Sequence, residues 1–143
     1  FRNCDVATAK NNIEKAIELQ EEVLPTIALI KELKARGYNL YVLSNMSKEY
    51  IEYLRKMPVF DYFDGEVVSC HEKVVKPEAE IYARLESRYN LNPAETLFID
   101  DRKANVEAAI ARGWGGYHFD AKNPEKSCRE LTAMLITNAN TNY

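Results

Sequence analysis

Short apolar runs alternate with stretches of helical period along most of the chain. Residues 10–22 place Ile13 and Ile17 one turn apart, a moderately amphipathic helix. In "TIALIKELKARGY", Ile27, Ile30 and Leu33 share a face, and Gly37 stands where a helix closes with a left-handed residue. "LYVLS" follows, a β-rich run of the kind buried on both sides in a parallel sheet. Ser47 can cap the next helix, which carries Tyr50, Ile51 and Leu54 on one face and is stopped by Pro58. "GEVVS" reads as a second strand, and "KPEAEIYARLESRY" as a helix with Pro77 in its first turn. "TLFID" is a third strand, followed by a helix bearing Val106, Ala109 and Ile110 that ends at Gly113. "GGYHF" is a fourth, weaker strand, and Asn123-Pro124 opens a last helix with Cys128, Leu131 and Leu135 on one face.

Strands separated by helices imply right-handed βαβ units. The expected fold is therefore α/β, a three-layer Rossmann-like core whose parallel sheet is covered on both faces. At 143 residues the chain has room for one such core and hardly for two. Composition narrows the function classes. A net charge of −3 gives no electrostatic reason to expect nucleic acid or an anionic membrane as partner. No apolar run approaches the ~18–20 residues that a membrane span requires. Cys4, Cys70 and Cys128 are odd in number and widely spaced, which argues for a reducing, cytoplasmic setting and against a thiolate metal site.

In an open parallel sheet, ligands sit beyond the carboxyl ends of the strands. Ser44 and Asn45 end the first strand, Lys76 lies shortly after the second, and Asp100 and Asp101 end the third. Singly, each has an ordinary role open to it: helix caps for Ser44, Asn45 or Ser47, a solvated lysine, an N-cap followed by an acid. Together they have a chemical logic. Adjacent carboxylates are hard ligands suited to magnesium. A lysine supplies a point charge for a phosphoryl oxygen, and a hydroxyl donates to another oxygen of the same group. The set suits phosphoryl transfer, where positioning and charge neutralisation do most of the work. Asn105, four residues after Asp101, can orient the acid pair from one turn away. His71 and His118 form no ligand spacing and read as loop or surface residues, and Trp114 reads as packing.

With "LYVLSN", "KPEAEIY" and "LFIDDRKANVEAA" in that order, the chain resembles the haloacid dehalogenase-like hydrolases in their second, third and fourth motifs. Within that family it is most similar to bacterial α-D-glucose-1-phosphate phosphatase-like members. The resemblance runs from about Leu24 to Phe119. It implies a magnesium-dependent phosphatase acting on a small phosphorylated metabolite, such as a sugar phosphate, through an aspartyl-phosphate. Carried over, Ser44, Asn45 and Lys76 would bind the phosphoryl group. Asp101 would be the direct Mg2+ ligand, with Asp100 beside it in the metal site and bonding Lys76, and Asn105 would support the pair.

The family's first motif, DxDxT or a DFGG-like variant, does not occur. Asp5 follows no apolar strand, and Asp61 and Asp64 lie in the turn before the second strand. The core is thus expected to lack its first, central strand and the nucleophilic aspartate. The resemblance divides the chain into a remnant of a helical cap at 1–23 and a core at 24–143. A fragment of a longer hydrolase is expected, inactive alone, with the missing N-terminal segment or a second chain completing the sheet. Two alternatives stand beside it: an interaction domain that keeps the fold without the chemistry, and a phospho-receiver domain. The receiver has the opposite chain order, acids first and lysine last.

Overall fold

The computed structural model describes residues 3–4 and 24–137. The helix expected at 10–22 and the cap remnant expected at 1–23 lie outside these, apart from Asn3–Cys4. These two residues form a strand, β1 (Asn3–Cys4). There follow α1 (Leu24–Ala35), β2 (Tyr41–Ser44), α2 (Lys48–Leu54), a 3-10 turn at Pro58–Tyr62 and β3 (Gly65–Val68). Next come a one-turn helix α3 (Ser69–Glu72), α4 (Ala79–Tyr89), β4 (Leu97–Asp100) and α5 (Lys103–Ala111). β5 (Gly115–His118) and α6 (Pro124–Thr132) complete the order, α6 running on into a π-helical turn at Ala133–Thr137.

Every strand pairing among the described residues is parallel. β1, β2 and β3 form one ladder and β4 and β5 another, with β1 lying against β4. The order across the molecule is thus β3-β2-β1-β4-β5. The sequence leads one to expect an empty central position. Instead β1 occupies it, with Asn3 beside Tyr41 and Cys4 beside Val42. The central position is thus taken by described backbone at Asn3–Cys4.

The alternation of side chains along each strand explains the three layers. Val42 of β2 and Leu97 and Ile99 of β4 face one side, where α1 adds Leu29, Ile30 and Leu33, α2 adds Ile51 and Leu54, and α6 adds Leu131. Tyr41 and Leu43 of β2, Val67 of β3 and Phe98 of β4 face the other, against Ile81, Tyr82 and Leu85 of α4 and Val106 of α5. Tyr82, Phe98 and Trp114 pack edge to face there, with ring centroids 5.5–6.1 Å apart.

The local signals act as their chemistry dictates. Ser47 caps α2, its hydroxyl accepting the Tyr50 N–H at 3.2 Å. Asn123 caps α6 in the same way through Lys126. Gly37 and Gly113 both take φ +89°, the left-handed value that closes α1 and α5. Pro77 departs from expectation. α4 starts at Ala79 with Glu78 as its N-cap, so Pro77 lies before the helix, behind a cis Lys76–Pro77 peptide. No described helix is long and apolar enough to cross a membrane.

Candidate active site

The carboxyl edge of the sheet gathers the polar residues. β2 ends on Ser44, which is wholly buried and whose hydroxyl has no hydrogen-bond partner among the described residues. An unmet buried hydroxyl costs ~1–3 kcal/mol, so the position favours a ligand that bonds to it. Asn45 follows. Its Oδ1 accepts the Lys76 N–H at 2.8 Å, and its Nδ2 donates to the Lys76 carbonyl at 3.1 Å. Expected beside the phosphate, the carboxamide is engaged at both ends by the Lys76 backbone. One residue on, the Met46 N–H donates to the Ser69 hydroxyl at 3.0 Å, tying the β2 and β3 ends together.

Lys76 sits in the loop between α3 and α4 and sends its side chain inward. Its Nζ donates to Asp100 Oδ2 at 2.8 Å, and it stands 5.5 Å above the Phe98 ring. Burial pushes the ammonium down to about 8, while the Asp100 carboxylate works in the opposite direction.

Asp100 is wholly buried at the end of β4 and collects three donors. Besides Lys76, it accepts the Arg102 N–H on Oδ1 at 2.7 Å and the Asn105 Nδ2 on Oδ2 at 3.0 Å. Asn105 thus supports the acid pair from the first turn of α5, through Asp100. The Asn105 carbonyl is in turn held by the buried Tyr82 hydroxyl at 2.7 Å. Asp101 is only part-buried, and its carboxyl is raised first by burial and then by the neighbouring Asp100.

The donor set itself tests whether a divalent cation fits. Asp100 is bonded within the protein, and Asp101 carries a charge that burial and its neighbour disfavour, a cost that a bound cation relieves. Among the described residues no group of three His, Cys, Asp or Glu assembles. Magnesium is characteristically held by one or two carboxylates, with water and phosphate oxygens completing the shell. The residues fit such an ion.

His118, read from the sequence as a loop or surface residue, is exposed. It ends β5 in register with Asp100, and its Nε2 lies 2.9 Å from the Asp101 carbonyl. Ser69 stands at the end of the "GEVVS" run, whereas Tyr82 carries no sequence signal because its partner is a backbone group 23 residues away. His71 is exposed on α3.

Residues 3–113 match the family model of the haloacid dehalogenase-like hydrolases. A sesquiterpene phosphatase of Aspergillus oryzae is 34% identical over 109 residues, which are 76% of this chain and 55% of that protein. A phosphorylated carbohydrates phosphatase of Thermotoga maritima is 36% identical over 97 residues, 65% of this chain and 44% of the relative. Among solved structures, a HAD family enzyme of Bacteroides thetaiotaomicron in complex with magnesium and inorganic phosphate is similar at a TM-score of 0.61. Its identity is 30%, over 67% of this chain and 52% of that one. The chain spans about half the length of these curated relatives.

Proposed function

The chain belongs to the haloacid dehalogenase-like hydrolases, and from that premise we propose that it carries the phosphate- and metal-binding half of a magnesium-dependent phosphatase. The observation that carries this reading is the buried Lys76–Asp100 pair, next to the unpartnered Ser44 hydroxyl at the carboxyl edge of a parallel sheet. The phosphatases among its relatives support the reaction class, and the magnesium–phosphate complex of the Bacteroides enzyme supports the cofactor.

In this reading Ser44 donates its hydroxyl proton to one phosphoryl oxygen. Lys76 lays its ammonium between a second oxygen and Asp100, neutralising charge as it spreads over the transferring group. Asp101 holds Mg2+, while Asp100 fixes Lys76 and is itself fixed by Asn105. When bound, the cation neutralises phosphoryl charge and orients the group for in-line attack. The nucleophilic aspartate belongs to the family's first motif, which these 143 residues do not contain. The substrate is a small phosphomonoester, a sugar phosphate being the favoured class.

Calorimetric titration with inorganic phosphate tests the site without needing turnover. Phosphate should bind in the presence of Mg2+ and bind more weakly in its absence. Asp101→Asn should abolish the Mg2+ dependence, and Lys76→Ala the binding. Binding that is indifferent to both Mg2+ and Lys76 would overturn the proposal. A second reading, a domain that keeps the fold without hydrolysis, draws on the absence of the family's first motif from these 143 residues. It predicts no phosphate binding at all.

A further inference from the structure

The Asn45 carboxamide faces the peptide backbone of Lys76 as a β-ladder partner would. It accepts from the N–H at 2.8 Å and donates to the C=O at 3.1 Å. Only one orientation of the amide satisfies both groups, so the pairing is specific. It joins residues 31 apart in sequence. The loop around Lys76 is bonded locally at its two ends, Lys73 N–H to the Ser69 carbonyl and Glu78 N–H to the Val75 carbonyl. Asn45 reaches it in between, from across the sheet edge. Because Asn45 directly follows Ser44, one stretch of backbone carries both the unpartnered hydroxyl and the fastening of the lysine. The neighbouring Met46–Ser69 bond closes the same seam a second time, with the Ser69 hydroxyl also donating to the Met46 carbonyl at 3.4 Å.

We propose that Asn45 is a positioning residue: it sets where the Lys76 ammonium stands relative to Ser44 and Asp100, and does not itself bind the phosphoryl group. The inference rests on the phosphate-site reading above for its meaning, but the clamp can be tested apart from it. A misplacement of about 1 Å in such a group is enough to lower a rate ~100-fold. A residue that does no chemistry can therefore matter as much as one that does.

Amine labelling followed by mass spectrometry reads the clamp on the chain as it is. Lys76 is almost wholly buried, whereas Lys73 on the same loop is exposed and serves as internal reference. Loss of both bonds in Asn45→Ala should raise Lys76 labelling about tenfold or more with Lys73 unchanged. Asn45→Asp keeps the shape and the acceptor but loses the donor, so it should give a smaller rise in a chain with unaltered circular dichroism. Wild-type labelling of Lys76 in the aspartate variant, or in a folded alanine variant, would overturn the clamp. Phosphate affinity then separates positioning from direct contact. If Asn45 acts through Lys76, the losses from Asn45→Ala and Lys76→Ala fall well short of adding. If they add, Asn45 touches phosphate and the proposal fails. Failure of wild-type chain to bind inorganic phosphate with Mg2+ would instead refute the phosphate site and leave the labelling result to decide the clamp.

Discussion

Lys76 and Asp100 meet at 2.8 Å with side chains 1% and 0% exposed, so neither charge has water to fall back on. Removing one partner of such a pair leaves a buried charge uncompensated, typically at a cost of ~3–5 kcal/mol. Lys76→Met should therefore lower the unfolding free energy in urea by about 3 kcal/mol. Adding Asp100→Asn should recover part of that loss, since the amide still accepts from Arg102. Glu86 gives the pH dependence. Arg112 Nε and Nη2 and the Trp114 indole N–H all donate to it, at 2.8, 3.0 and 3.0 Å. These bonds, Arg112 first, hold its carboxyl below the ordinary value of 4.5. A carboxyl depressed on folding binds fewer protons in the folded state than in the unfolded one. Its contribution is present above the unfolded value and is lost as pH falls through the folded one. Melting temperature should drop as pH is lowered below 4.5, and Glu86→Gln should flatten that drop.

Elements pack here by close approach as much as by apolar area. Gly116 in β5 lies so near α5 that a Cβ would stand 2.7 Å from Val106 Cγ1 and Ile110 Cγ1. Gly116→Val should destabilise by ~1–3 kcal/mol, the usual range for overpacking, measured by urea unfolding. Loss of the Ser47 cap is the milder case, with Ser47→Ala expected to cost ~1 kcal/mol in the same assay. The elements differ in how openly the sequence announces them. Ser47, Asn123, Gly37 and Gly113 act within three or four residues of themselves, so the helix ends they set were readable. Pro77 was misread as the first turn of α4 because the bonds that hold Lys76 outside that helix come from Asn45. The one-turn helix α3 carries no periodic signal, being shorter than one repeat of the pattern that would reveal it.

Across the described residues, the two ladders meet at β1, which pairs with β2 and lies against β4. A hydrolase of this family places its nucleophile at the end of that central strand, and the motif is absent from the chain. Purified 143-residue protein should hydrolyse no p-nitrophenyl phosphate with Mg2+. A longer form of the protein that carries the family's DxD motif should, and should lose that activity on Lys76→Ala. Turnover by the unextended chain that is abolished by Asp101→Asn would show that the nucleophile lies within it.

What the sequence determined by itself is the layered α/β order and the residues at the strand ends. Both follow from local rules: side chains alternate along a strand, recur every 3.6 residues on a helix, and caps bond to their own first turn. Only the tertiary structure decided the partner of each polar group. Asn105 joins Asp100 as a close neighbour on the chain, but Asn45 reaches the Lys76 backbone, His118 the Asp101 carbonyl and Tyr82 the Asn105 carbonyl across 17 to 31 residues. Such bonds depend on where loops run after the sheet is assembled. Residue spacing carries no record of that path, because hydrophobic burial fixes which faces meet and leaves the hydrogen-bonding groups at their rims to find partners afterwards.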